Sequence, residues 1–279
     1  MPEYSEIDYA VDGAIATITL DRPEARNGYT VTMADELAAA FDRADNDDSV
    51  RCVVFTGSGK DFCVGGDLSS GSLDLGEIDE RDGFWKEPAG RCSMRIFAMR
   101  KPVLAAIRGA AVGAGSTICL PCDYRLASTD ARFGFVFSRR GIVPEGASTW
   151  FLPRLVGMGT ALDWMVSGRV FDAEEARNAG LVQRLHEPDE LLDAAYTLAR
   201  EIATKVAPVS AAVIRQMLYR MSALDSPFAT QRLDSRLIEN MPDNADAIEG
   251  VMAFLQKREP QFTGTVSRDL PDYLPWSPE

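Results

Sequence analysis

VLAAIRGAAVGAGSTICLPCD, running from Val103 to Asp123, is the stretch that decides the fold. Val103 to Ile107 has the length and branching of a buried strand, Gly109 breaks it, and Gly113 and Gly115 let the backbone turn without a Cβ penalty before an apolar helix. Such a turn leaves N–H groups without partners at the opening of the helix, with the positive end of its dipole behind them. It suits a developing negative charge. A phosphate-binding GxxxxGK(S/T) loop needs a lysine that is absent here, and a GxGxxG dinucleotide turn needs a third glycine where Ile118 stands. Glycines that merely allow close helix packing are the other reading of this stretch alone.

A second stretch repeats the pattern. In GSGKDFCVGGDL, Gly57 and Gly59 make a turn, Phe62 to Val64 returns to extended structure, and Gly65-Gly66-Asp67 opens another turn with free N–H groups. Two strand-to-glycine-turn units converging on one oxygen are what an oxyanion hole requires.

Composition narrows the function classes. The 279 residues, 46% hydrophobic, are enough for one large domain with an appendage or for two domains. A net charge of −13 excludes a general nucleic-acid surface, so an anionic ligand would need a local basic patch. No apolar run reaches the ~20 residues of a membrane span, and the acidic start MPEYSEIDYAVDG has no signal-peptide core, so a cytoplasmic protein is expected. Five cysteines read as free thiols in a reducing compartment. Cys119 and Cys122 form a CxxC at the closing end of a helix, where the dipole raises thiol pKa, and no second pair exists for zinc; they read as packing residues, and no metal is expected. The single histidine, His186, sits in a polar turn, which excludes histidine-based triads and metal sites.

Along the chain, Ala14 to Leu20, Cys52 to Thr56 and Tyr124 to Ser128 read as strands, with a helix from Thr32 to Asp45 capped by Thr32. Residues 69–83 read as a solvated connection or a lid, leading into a helix from Phe84 to Met99. Pro144 suits a helix start, with Glu145 in its first turn, where a carboxylate ordinarily complements the dipole. Asp172 caps a helix that Gly180 closes before a short strand, Leu181 to Leu185. Helices follow at Asp189 to Lys205, Ser210 to Met221, Phe228 to Asn240 and Ala245 to Arg258, then an extended tail. The composition shift near residue 200 predicts an α/β core over 1–199 and a helical packing or oligomerisation region over 200–279.

These motifs, in this order, resemble the crotonase family, the enoyl-CoA hydratase/isomerase superfamily. The segments that carry the resemblance are DRPEARN at Asp21 to Asn27, GKDFCVGGDL at Gly59 to Leu68, AAIRGAAVGAG through CDYRLAS, GIVPEGAS, SGRVFDAEEARNAGLV and EGVMAFLQKREPQF. The resemblance implies a ββα spiral, a C-terminal helical region that forms a trimer or a dimer of trimers, and an acyl-CoA thioester as substrate, with coenzyme A part of that substrate and no separate cofactor. It places the two amide donors to the thioester oxygen on Gly66 and Ala114, flanked by Val64 and Asp67.

The departures from the family pattern are as informative. Hydratases of this family carry two glutamates, at positions where this chain has Thr117 and Phe137. Neither side chain does acid-base work at neutral pH. Glu145, in a PEG turn, remains, and it resembles the lone glutamate of members that shift a double bond from the 3 to the 2 position. Arg22 and Arg26, with Lys257 from the C-terminal helix, are the cations that the resemblance offers to coenzyme A, and Met94, Trp85, Trp150 and Phe137 are candidates for an apolar acyl pocket. The alternatives are hydration, thioester hydrolysis, dehalogenation, or acyl-CoA binding without catalysis.

Overall fold

The chain runs β1 (Ile7–Asp12), β2 (Ile15–Leu20), α1 (Val31–Asn46), β3 (Cys52–Gly57), α2 (Pro88–Ala98), β4 (Val103–Ile107), β5 (Ala110–Val112), α3 (Ala114–Thr117) and β6 (Tyr124–Ser128). It continues through β7 (Arg132–Gly134), α4 (Ser148–Ser167), β8 (Val170–Asp172), α5 (Ala173–Asn178), β9 (Arg184–His186) and α6 (Leu191–Lys205). The last helices are α7 (Pro208–Met221), α8 (Phe228–Glu239), α9 (Ala245–Gln256) and α10 (Val266–Asp269). The structure is a computed structural model that describes residues 4–69, 71, 74–77 and 85–276.

Two sheets are wound from one repeating path. The larger has the order β1-β2-β3-β4-β6-β9, antiparallel only between β1 and β2, and the smaller has the order β5-β7-β8. β4 of the large sheet runs directly into β5 of the small one, and β6 into β7, so two successive turns of chain visit both sheets. This is the ββα spiral expected above.

Alternation along the central strands sorts residues into two cores. Val53 and Phe55 of β3, with Val103, Ala105 and Ile107 of β4, pack beneath α1 and α2, together with Met33, Leu37, Phe41 and Ile96. Val54, Leu104 and Ala106 point to the opposite face, against Leu191, Ala195, Leu198 and Ala199 of α6. A parallel sheet covered on both faces has no solvated side, which is why β4 is apolar throughout. In the small sheet Trp164 of α4 stacks on Phe171 of β8 with ring centroids 3.8 Å apart.

Several boundaries depart from the sequence reading. β1 was not expected, because only Ile7 of its six residues is buried. The cap of α1 is Thr30, which accepts from the Met33 amide at 3.0 Å, rather than Thr32. α2 starts at Pro88, behind the cap Glu87, and Phe84 lies outside the described residues. The strand expected at Leu181 is displaced to β9, and α10 interrupts the extended tail. A division at residues 199 and 200 falls inside α6, which belongs to the sheet core; the helices that leave the sheet begin with α7. Arg215 pins α7 back to the core, its buried guanidinium bonding Asp123 at 2.8 Å and the Ile96 carbonyl at 2.8 Å.

Candidate active site

The two glycine turns meet through isolated bridges outside the sheets. Cys63 pairs with Ala111, its amide donating to the Ala110 carbonyl at 2.9 Å while its carbonyl accepts from Val112 at 3.0 Å. Tyr29 pairs with Gly66 in the same way, through Tyr29 N to Gly65 O at 2.8 Å and Asp67 N to Tyr29 O at 2.9 Å. Parallel pairing uses the Gly65 carbonyl and the Asp67 amide, on either side of Gly66, and leaves the N–H of Gly66 itself facing the other way. Glycine is required where the turns touch: a Cβ on Gly65, at φ +98°, would lie 2.9 Å from the Val112 carbonyl oxygen, and one on Gly115 would lie 2.2 Å from that of Cys63.

Ala114 opens α3, so its N–H is one of the first-turn donors without an intrahelical acceptor. Among the described residues neither the Gly66 nor the Ala114 amide donates a hydrogen bond. The helix after Gly113 is a single turn of four residues, shorter than the sequence suggested. The two amides act as individual dipoles, with little macrodipole behind them.

Glu145 does not sit in a helical turn as expected. α4 begins three residues later, and Gly146 (φ +59°) and Ala147 (φ +55°) are both left-handed. For alanine that conformation costs about 1 kcal/mol, offset by bonds that fix the turn from every side. The Glu145 carbonyl accepts from Ser148 N at 3.0 Å and Ser148 Oγ at 2.7 Å. The Gly146 carbonyl accepts from Ser93 Oγ at 2.9 Å, and the Gly146 amide donates to Glu87 Oε1 at 2.7 Å. Of the Glu145 carboxylate, Oε1 is buried and has no hydrogen-bond partner among the described residues. Burial, with the Glu87 carboxylate nearby, pushes its pKa up to about 8, against a smaller opposing effect of the Thr117 hydroxyl.

Gly66, Ala114 and Glu145 share one cavity of about 540 Å³. Its walls are largely apolar, including Tyr29, Val64, Leu75, Val136, Phe137 and Ile142. Gly71, Asp74 and Leu75 also border it; much of the rest of the segment read as a connection or lid lies outside the described residues.

The other expected site residues divide. Val64 and Phe137 line the cavity. Thr117 is fully buried behind it, its hydroxyl donating to the Gly113 carbonyl at 3.2 Å. Arg22 bonds Asp67 at 3.0 Å and the Gly28 carbonyl at 2.7 Å, and Arg26 bonds Asp61 at 2.7 Å. These arginines bind carboxylates of the second glycine stretch, and neither they nor Asp67 form part of the cavity wall. Lys257 is exposed at the left-handed end of α9, away from the cavity lining. Of the aromatic and methionine candidates only Phe137 reaches the cavity; Trp150 instead packs edge-on against Phe151 with centroids 4.9 Å apart, and Met94 is exposed. Glu87, Tyr29 and Arg140 line the cavity and were not anticipated. The Glu87-Pro88 pair, a cap residue followed by proline at the first helical position, was the available signal for the first of these.

All five cysteines are free and buried. Burial pushes the Cys63 and Cys122 thiols up to about 12, in keeping with packing roles. Among the described residues no helix is long and apolar enough to cross a membrane.

Residues 10–265 match the family model for enoyl-CoA hydratase/isomerase. An enoyl-CoA hydratase of Alternaria alternata is 38% identical over 92% of this chain and 86% of its own length. The 1,2-epoxyphenylacetyl-CoA isomerase of Escherichia coli K12 is 35% identical over 91% of this chain and 97% of its own. Among solved structures, that of a probable enoyl-CoA hydratase/isomerase from Mycobacterium abscessus superposes with a TM-score of 0.84 at 32% identity, covering 93% of this chain and 99% of that one. With the spiral fold, the paired amide donors and a carboxylate in one cavity, the chain belongs to the enoyl-CoA hydratase/isomerase family and is an enzyme of the crotonase superfamily.

Proposed function

We propose that the protein is a Δ3-Δ2 enoyl-CoA isomerase in which Glu145 is the single catalytic base. The observation that carries this reading is the unpartnered, buried Oε1 of Glu145 in the same cavity as the two spare amides of Gly66 and Ala114. The thioester carbonyl of a 3-enoyl-CoA accepts both N–H bonds. Glu145 removes a proton from C2, and the electron pair moves onto the carbonyl oxygen as an enolate, where the amides stabilise it. The same carboxyl group then returns the proton at C4 while the enolate collapses, so the double bond ends between C2 and C3. Atoms balance with one base and no water, and we assign the step no metal and no cofactor beyond the coenzyme A of the substrate.

Hydration is the second reading, favoured by the presence of another carboxylate, Glu87, in the cavity. Both Glu87 oxygens, however, already hold backbone amides, of Gly90 and Gly146, so this carboxylate is engaged in fixing the turn whereas Oε1 of Glu145 has no donor. Supplying 3-enoyl and 2-enoyl thioesters of several chain lengths separates the two. An isomerase converts the former to the conjugated 2-enoyl product, seen by its ultraviolet absorbance, and hydrates the latter slowly. Rapid hydration with no 3-enoyl turnover would overturn the assignment.

We further infer that the helices after α6 assemble subunits into a trimer or a dimer of trimers. Support comes from large apolar residues left exposed there, among them Leu218, Ile238, Val251, Phe254 and Leu255. The five free thiols fit a reducing compartment such as the cytoplasm.

A further inference from the structure

Glu87 is a carboxylate of the cavity that the reaction above leaves without a task. It lies at the cap of α2, where its carboxylate folds back over Gly90 so closely that a Cβ there would meet Oε1 at 2.4 Å. One oxygen accepts the Gly90 amide, as a helix cap does, and the other reaches out of the helix to the Gly146 amide at 2.7 Å. Gly146 directly follows the base. Ser93, one and a half turns further along α2, holds the carbonyl of the same residue. The first turns of α2 therefore grip both backbone polar groups of Gly146, the residue next to Glu145.

We propose that Glu87 is a positioning residue for Glu145: its carboxylate clamps the Glu145-Gly146 turn to the start of α2 and sets a fixed negative charge beside the base. This rests on Glu145 being the base. Among the described residues, the other groups near Glu145 from neighbouring elements are Tyr29, Cys63, Cys92 and the Thr117 hydroxyl. Burial pushes the phenol of Tyr29 and the thiols of Cys63 and Cys92 upward, so these stay neutral. Asp74 and Arg140, of opposite charge, also border the cavity. Glu87 is thus the carboxylate placed to oppose ionisation of Glu145, in agreement with the upward shift of the latter. A basic carboxylate with a high proton affinity is the better match for a weakly acidic C2 proton.

Two substitutions separate charge from reach. Glu87→Gln removes the charge, and Glu87→Asp keeps the charge and the helix cap but is one carbon too short to hold Gly146 as well. The Glu145 carboxyl is titrated directly by infrared difference spectroscopy without substrate, its band identified by its loss in Glu145→Gln. The midpoint is expected to fall by about one pH unit in Glu87→Gln. In Glu87→Asp it should stay near the wild-type value while kcat drops about tenfold or more at little-changed KM, because the base is no longer held in line. A midpoint unmoved in folded Glu87→Gln, or wild-type kcat in Glu87→Asp, would overturn the proposal. Because the titration uses no substrate, absence of 3-enoyl turnover in the wild type would refute the isomerase reading while leaving the influence of Glu87 on Glu145 measurable.

Discussion

Replacing Glu145 with Gln should make the protein both inactive and more stable, and the stability gain should depend on pH. The side chain keeps its size and polarity but loses the base, so turnover of a 3-enoyl-CoA is expected to fall by at least ~10²-fold. The stability effect follows from the buried carboxyl. Its pKa lies at about 8 in the folded protein against 4.5 for the free group. A pKa raised by folding means that the folded state holds the proton more tightly, so stability falls as pH rises from the unfolded value to the folded one and then stays level. At ~1.36 kcal/mol per unit, the shift sets a ceiling of about 5 kcal/mol on the cost of an ionised Glu145. Glu145 as a residue is half-buried, so solvent screening lowers this ceiling and a gain of ~2–5 kcal/mol is expected for Glu145→Gln above pH 8. The assay is urea unfolding of both proteins at half-unit steps from pH 5 to 9. The difference in unfolding free energy should widen with pH up to about pH 8 and then flatten, and thioester affinity should be little changed. A difference that is constant across this range, or wild-type turnover in the variant, would refute the reasoning.

The remaining expectations can be checked alongside it. In the wild type, kcat/KM for a 3-enoyl-CoA should rise about tenfold per unit of pH below 8 and reach a plateau above, since only the ionised base takes the C2 proton; a profile flat from pH 6 to 9 would contradict a base with this environment. Ala114→Pro removes one oxyanion donor at a first helical position that tolerates proline, and should lower kcat by ~10²–10³-fold in a protein whose circular dichroism is unchanged. Light scattering should give a trimer or a hexamer, and Phe254→Glu, at a side chain 82% exposed in the single chain, should shift it toward monomer; a monomeric wild type would defeat the assembly.

Sequence was most legible where one physical requirement acted alone. β4 was delimited to the residue, because a strand buried on both faces reads as a continuous apolar run, here ended by Arg108 and Gly109; β6 was delimited as well, although Arg125 and Ser128 interrupt its apolar character. The two glycine turns were legible from their place after strands, and the resemblance to the family put the donors on Gly66 and Ala114. β1 was not, since five of its six residues face at least partly outward and hydrophobicity does not mark it. The placement of Glu145 failed for a different reason. Pro144 is a sound helix-start signal, yet Gly146 and Ala147 both adopt left-handed conformations that tertiary bonds from Glu87 and Ser93 hold in place. Those partners lie more than fifty residues earlier in the chain, beyond any local rule. Arg22 and Arg26 show the converse: cations that resemble ligand contacts are occupied by Asp67 and Asp61, carboxylates of the second glycine stretch.

The chemistry of the cavity turns on which of its carboxylates has an oxygen to spare. Glu87 and Glu145 border the same space and their turns are joined through Gly146, yet each Glu87 oxygen faces an amide whereas Oε1 of Glu145 faces none. An unpartnered buried acceptor costs ~1–3 kcal/mol, a penalty that folding would avoid by bringing in a donor. Thr117 is the adjacent hydroxyl, and its donation to Gly113 directs it toward the oxyanion turn. Among the described residues the same arrangement therefore leaves three groups unsatisfied in one cavity: two donors, on Gly66 and Ala114, and one acceptor, on Glu145. A thioester that becomes an enolate satisfies all three at once, its oxygen taking the donors and its departing C2 proton taking the acceptor. Complementarity of this kind stabilises the transition state more than the bound substrate, whose C–H bond offers Glu145 little.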